Sequence, residues 1–176
     1  PEGIIEQDLT GDGQADLKNH GGEHKAVYAY PYEHYAFWQQ QTGRDDFKFG
    51  QFGENLTTEG MNEANIFIGD VYRFGGATLQ VTQPRIPCSK LGIRMNDRTF
   101  PKQFSAAERS GFYLCVLEEG PVNAGDAIEQ IEQHKGGVSV RDVFHLVHQP
   151  DDVDLLARAV ELDELPVWMK DRFRKN

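Results

Sequence analysis

The sequence predicts an α+β protein, mainly β, in which a β part is followed by a small three-helix unit. Three observations point there. In residues 77–82, Ala-Thr-Leu-Gln-Val-Thr, apolar and polar side chains alternate with the period of a half-buried strand. Gly-Gly and Gly-Asp pairs, which mark tight turns, punctuate the first 136 residues. After Gly136-Gly137 the pattern is helical to the end, with a capping residue or a proline at each start. We therefore expect a β domain over residues 1–136, its N-terminal part missing, and a helical extension over residues 137–176.

The elements follow in order. Residues 8–25 are turn-rich, with Gly11-Asp-Gly13 and Gly21-Gly22. Residues 31–41 read as a short helix, with Pro31 at its first position and Tyr35 and Trp38 on one face. Residues 50–82 read as β structure, in which 71–74 and 77–82 form a hairpin turned by Gly75-Gly76. Ile68-Gly-Asp-Val71 and Ala124-Gly-Asp-Ala-Ile128 each put a Gly-Asp turn just before a strand. Residues 101–110 read as a helix and 111–118 as a strand. Ser139 can cap a helix that runs to His148 and stops at Pro150. Asp151 or Asp152 can cap a second over 153–162, and Pro166 can open a third over 167–174.

Composition excludes several classes. The 176 residues are 39% hydrophobic and 26% charged, a globular balance rather than a disordered one. No apolar run approaches the ~18 residues that a membrane-spanning helix needs. A net charge of −10 argues against a nucleic-acid polymer as partner. The first residues carry neither the basic start nor the apolar core of a secretion signal. A cytoplasmic location follows, where both cysteines are free thiols. The chain starts at Pro1, and we expect residues upstream of it.

The two thiols differ in context. Cys115 lies in Gly111-Phe-Tyr-Leu-Cys-Val-Leu117, an apolar strand where a thiol is a small hydrophobe. Cys88 lies in Gln83-Pro-Arg-Ile-Pro-Cys-Ser-Lys90, between prolines and basic residues. Around it, residues 80–115 hold Arg85, Lys90, Arg94, Arg98, Lys102 and Arg109 against Asp97 and Glu108, a +4 island in an acidic chain. Nearby cations favour thiolate over thiol and attract anions, and arginine forks match phosphate. The alternatives are weaker. No histidine is local to Cys88, and Gly21-Gly22 breaks any helix that could pair His20 with His24 on a metal. His145 and His148 fall on a helix at i, i+3, a spacing we read as surface or interhelix. No P-loop or Rossmann fingerprint is present. Two cysteines cannot hold a two-iron cluster that needs four ligands. Tyr28, Tyr30, Phe52 and Phe100 could stack on a substrate, with core packing the competing reading.

Taken together, these segments resemble the MOSC domain family. The matching stretches are 12–22 (Asp-Gly-Gln-Ala-Asp-Leu-Lys-Asn-His-Gly-Gly), 25–30 (Lys-Ala-Val-Tyr-Ala-Tyr), 52–57 (Phe-Gly-Glu-Asn-Leu-Thr), 68–70 (Ile-Gly-Asp) and 83–91 (Gln-Pro-Arg-Ile-Pro-Cys-Ser-Lys-Leu). The tail from Ser139 onward resembles the three-helix extension of the bacterial N-hydroxylaminopurine resistance branch. The resemblance implies a β-barrel-like fold that binds the molybdenum cofactor. It makes Cys88 the catalytic residue and metal ligand. Arg85, Ser89 and Lys90 beside it, Glu54 and Asn55 in the Gly-Glu-Asn turn, and His20, Gly21 and Lys25 in the Gly-Gly loop would bind the cofactor. The implied activity is reduction of N-hydroxylated nucleobases and related compounds, with electrons from a separate flavoprotein reductase. The same motifs also suit a sulfur carrier that holds a persulfide on Cys88, supplied by a pyridoxal-phosphate-dependent desulfurase. A non-catalytic molybdopterin carrier is the third reading. The tail could serve dimerisation, substrate enclosure or partner docking.

Overall fold

The computed structural model describes residues 3–5, 8–9 and 23–175. Residues 10–22, most of the turn-rich segment, lie outside them. The elements are β1 (Gly3–Ile5), β2 (Asp8–Leu9), a 3-10 turn (Glu23–Lys25), β3 (Val27–Pro31), α1 (Glu33–Thr42), β4 (Leu56–Thr58), β5 (Val71–Phe74) and β6 (Ala77–Pro84). Then come α2 (Ser89–Arg94), α3 (Phe100–Ala107), β7 (Phe112–Glu118), β8 (Gly120–Pro121), β9 (Ile128–Glu132), α4 (Val140–His148), α5 (Val153–Val160) and α6 (Val167–Phe173).

A mixed sheet in the order β4-β3-β7-β6-β5-β9 curls into a half-barrel, and β2-β1-β8 form a small second sheet. In the larger sheet β3 and β4 run parallel and the other neighbours antiparallel. Register shifts at Val71/Tyr72, Thr78/Leu79 and Val81/Gln83 add local twist, which lets the sheet curl. The expected hairpin is present, with Phe74 opposite Ala77 and Gly75 at φ 54° in the turn. The architecture is α+β with a barrel-like sheet, as the sequence predicts.

Several boundaries differ from expectation. Pro31 does not open a helix. It ends β3, paired with Thr58, and α1 begins at Glu33. Between residues 50 and 70 only β4 is a strand, and the rest is loop. The helix expected over 101–110 begins at Phe100 and ends at Ala107, where Glu108 turns left-handed at φ 51°. The short α2 has no counterpart in the sequence reading.

The strand β3 organises two apolar clusters because it is buried on both faces. Val27 and Ala29 join a large core with Leu79, Val81, Phe112 and Leu114. Tyr28 and Tyr30 face an aromatic cluster with Tyr35, Trp38, Phe52, Phe100 and Phe104. The helical tail packs into the first of these, through Val143, Leu146, Leu156, Ala159 and Met169. Each large side chain buried there contributes about 1.5–3 kcal/mol. Ser139 and Asp142 form a reciprocal capping box on α4, and Asp152 caps α5 by accepting from Leu155 N at 2.9 Å.

A buried polar chain fixes the loop 109–111. His34 Nε2 lies 2.9 and 2.8 Å from the two Glu63 carboxylate oxygens, and Arg109 Nη1 lies 3.0 Å from His34 Nδ1. A guanidinium can only donate, so Nδ1 accepts and Nε2 carries the proton. Glu63 also accepts from Gly111 N at 2.8 Å. The carbonyls of Arg109 and Ser110 then accept from the Tyr30 and Tyr28 hydroxyls at 3.2 and 2.8 Å. No described helix is long and apolar enough to cross a membrane.

Candidate functional site

The site grows from the β3–β4 junction. Gly53, at φ 88°, lets the chain turn sharply into Glu54-Asn55. Asn55 bonds Tyr28 twice: its N–H donates to the Tyr28 carbonyl at 2.9 Å, and its Oδ1 accepts from Tyr28 N at 2.8 Å. Glu54 is buried, and its carboxylate accepts from Phe52 N at 2.9 Å, Gly50 N at 3.2 Å, Thr57 Oγ1 at 3.3 Å and the Tyr35 hydroxyl. Its oxygens are thus spent on holding the turn in shape.

Arg85 sits at the end of this cluster, just past β6. It is only 9% exposed. Its guanidinium lies 4.8 Å from the Tyr28 ring centre and 5.7 Å from that of Phe104, a stacked cation on an aromatic floor. A Cβ on Gly53 would stand 3.9 Å from Arg85 Nη2, so the turn and the arginine adjoin. Arg85 Nη1 is buried and has no hydrogen-bond partner among the described residues. Such an orphan normally costs about 1–3 kcal/mol, more when charged, and marks a donor waiting for an acceptor. Burial opposes its charge, but the Tyr28 and Tyr113 hydroxyls and the Cys88 thiol offset that, and the net shift is upward. Burial in turn pushes the Tyr28 and Tyr113 phenols above their ordinary value, so both stay neutral.

Cys88 lies three residues beyond, half-buried, with extended backbone immediately before α2. Its thiol is within electrostatic reach of both Arg85 and Tyr113. Ser89 and Lys90 follow it, exposed, on the first turn of α2. Lys25 approaches from the other side. The 3-10 turn that carries it is pinned to β6, since the His24 carbonyl accepts from Thr82 Oγ1 at 2.7 Å and Gln83 Nε2 at 3.1 Å. The Lys25 ammonium then lies 6.0 Å from the Tyr113 ring centre and 5.7 Å from that of Trp168.

The structure therefore gathers Glu54, Asn55, Arg85, Cys88 and Lys25 around Tyr28 and Tyr113. His20 and Gly21 lie outside the described residues. The basic island does not survive as one patch. Arg94 donates to the Gly50 and Gln51 carbonyls, Arg109 is bound to His34, and Arg98 and Lys102 point outward. Tyr30, Phe52 and Phe100 are wholly buried in the aromatic cluster. Tyr28 is also buried there, and it meets the site through the ring face under Arg85. Sequence reasoning did not single out Phe104, Tyr113 or Trp168. The cross-strand pairing of Tyr28 with Tyr113 is a signal that appears only with the register. Cys115 is buried in β7.

This donor set fits an anionic, metal-bearing organic group. A buried guanidinium whose Nη1 has no partner among the described residues and an ammonium suit phosphate or oxo groups, and a thiolate suits a soft metal. Among the described residues no three His, Cys, Asp or Glu side chains gather that could hold a bare ion.

The MOSC domain model matches residues 16–129. The uncharacterized protein YflK of Bacillus subtilis (strain 168) is 44% identical over 138 residues, 78% of this chain, which spans 62% of that protein's length. The crystal structure of YiiM from Geobacillus stearothermophilus superposes with a TM-score of 0.86 at 33% identity, over 98% of this chain and 82% of that one. A protein named Reductase from Gibberella moniliformis (strain M3125 / FGSC 7600) is 32% identical over 173 residues, 94% of this chain and 31% of that protein.

Proposed function

The chain belongs to the MOSC domain family, and from that membership we propose that it is a molybdenum-cofactor-dependent reductase of N-hydroxylated nucleobases and related N-hydroxylated compounds. The observation that carries this reading is the half-buried Cys88 thiol beside Arg85, whose buried Nη1 has no hydrogen-bond partner among the described residues. The naming of a fungal relative as a reductase supports it. When bound, the cofactor supplies two-electron redox chemistry at a metal that a soft thiolate can ligate.

The protein's own residues have separate tasks. Cys88 ligates the metal through its sulfur. Arg85 and Lys25 bind the anionic part of the cofactor, with Ser89 and Lys90 at the entrance. Glu54 and Asn55 act one step back: the first fixes the turn and the second fixes Tyr28, on whose ring Arg85 rests. The aromatic floor excludes water beneath the guanidinium and strengthens its pull on an anion. Within these 176 residues two cysteines cannot supply a cluster of four thiolates, and we assign the electron supply to a flavoprotein reductase in the cytoplasm.

The test is elemental analysis of protein from cells able to make the cofactor, with Cys88→Ser beside it. Near-stoichiometric molybdenum in the wild type, lost in the variant, is the expected result. Molybdenum absent from both, with sulfane sulfur on Cys88, would replace the reductase with a sulfur carrier. Molybdenum kept in the variant, without turnover of N-hydroxylated substrates, would leave a cofactor carrier.

A further inference from the structure

We propose that Trp168, on the last helix of the tail, is a substrate-contacting residue of the Cys88 site, against which a planar heteroaromatic substrate stacks. The proposal rests on the reading above and gives the tail a task within it.

The helix α6 anchors Met169 and Phe173 in the large core and leaves Val167 and Trp168 outside it, the indole 45% exposed. The helix is held in place at two points. Lys170 Nζ donates to the Leu162 carbonyl at 2.9 Å, and Arg172 Nη2 to the Val147 carbonyl at 2.6 Å. The helix that carries Trp168 is therefore fixed. Trp168 also has a specific neighbour, for the Lys25 ammonium lies 5.7 Å from its ring and 6.0 Å from that of Tyr113. Tyr113 stands 5.2 Å from Tyr28, and Tyr28 carries Arg85 at 4.8 Å. Rings and cations thus form one strip of contacts from Trp168 through Lys25, Tyr113 and Tyr28 to Arg85, which is within electrostatic reach of the Cys88 thiol.

Along that strip Tyr28 and Phe104 are sealed in the aromatic cluster, and Tyr113 is flanked by Arg85 and Lys25. Trp168 is the member with broad open ring area. An aromatic heterocycle needs such a face, because stacking is tolerant of ring substituents and leaves the N–O group free to point inward. The cation beside it favours ligands with exposed lone pairs on ring nitrogens or oxygens. The tail then works as an outer wall of the site.

The experiment uses the cofactor-loaded full protein, with Trp168→Ala and Trp168→Phe. The chain has two tryptophans, and Trp38 is 2% exposed in the aromatic cluster. The part of the fluorescence quenching by N-hydroxylaminopurine that is lost in Trp168→Phe, with no electron donor present, reports on Trp168. We expect saturable quenching in the wild type and none in Trp168→Phe. In steady-state assays Trp168→Ala should raise KM about tenfold with kcat within about twofold, and Trp168→Phe should stay within about threefold of wild type. Molybdenum content should be unchanged in both. Absent or unsaturable quenching, an unchanged KM in Trp168→Ala, or molybdenum loss in both variants would each overturn the proposal. Failure of the wild type to reduce any N-hydroxylated compound would sink the reductase reading. The quenching titration would still decide Trp168, because it requires no turnover.

Discussion

Replacing Arg85 with methionine separates the two roles a buried arginine can have. In the cofactor-free protein two terms oppose each other. Losing the cation over Tyr28 at 4.8 Å and Phe104 at 5.7 Å costs about 0.5–2 kcal/mol for each ring. Removing a buried Nη1 that has no partner among the described residues returns about 1–3 kcal/mol, and a methionine of similar length keeps the floor covered. The net change in folding stability should fall within about 1 kcal/mol of zero, measured by urea unfolding on protein from cells unable to make the cofactor. In the loaded protein the balance differs. Charge-assisted hydrogen bonds to an anion contribute about 1.5–3 kcal/mol, so cofactor retention should fall about 10- to 150-fold, read as molybdenum per folded protein after dialysis. A loss of more than about 3 kcal/mol in the cofactor-free protein would make Arg85 a structural pillar. Unchanged molybdenum would refute the reasoning from the other side.

Three further outcomes follow from the geometry. Cys115→Ser puts a hydroxyl into the sheet core 3.8 Å from Gln80 Oε1, too far for a normal bond, and should cost about 1–3 kcal/mol in denaturant with activity per folded molecule unchanged; loss of turnover at full stability would mean that the wrong thiol has been assigned. Gly111→Ala forces a side chain onto φ 63° with its Cβ 2.5 Å from the Ala29 carbonyl oxygen, and should cost roughly 2–5 kcal/mol; a cost below about 1 kcal/mol would show that the loop relaxes freely. The third concerns Glu108. Burial tends to raise its pKa, but His145 and Arg141 outweigh that and the net shift is downward. A depressed carboxylate stabilises the fold above its unfolded value of about 4.3 and loses that contribution as pH falls through the folded value. Glu108→Gln should therefore be less stable than wild type by about 0.3–1 kcal/mol at pH 7, with the gap closing below about pH 4 in melting curves; a gap that persists at pH 3 would mean that the ion pairs do not cause it.

What the sequence makes legible are features set by near neighbours. Alternation marks β6, a glycine pair marks its hairpin, and Ser139, Asp152 and Pro166 mark the tail helices, because each signal lies within four residues of what it controls. The strand β3 is invisible for the opposite reason: buried on both faces, it has no polar side to alternate with. Pro31 reads as a helix start from its fixed φ alone, yet it ends a strand whose parallel partner β4 begins 25 residues later. At the site, Cys88 stands out through its flanking prolines and cations. The charge count that drew attention to it overstates the patch, since the fold commits Arg94 and Arg109 to carbonyl and histidine partners elsewhere. Tyr113 and Trp168 carry no local mark. They meet only through Lys25, once residues near both ends of the chain have come together.

Tyr28 bonds Asn55, 27 positions away, and Ser110, 82 positions away, and pairs across the sheet with Tyr113. Contacts of such high order in sequence require long loops to close before any of them rewards the chain. Arg85 acquires its aromatic floor only when those closures are complete. Ligand capture is thus a late event in the life of each molecule, and a quality check as well: a chain that has misplaced residues 109–113 offers no seat for the guanidinium and no grip on an anion. Whatever Arg85 takes up then binds the native state alone and holds it against unfolding by mass action. Loaded molecules should outlast empty ones under protease, so the cell would retain the finished protein and clear the unfinished.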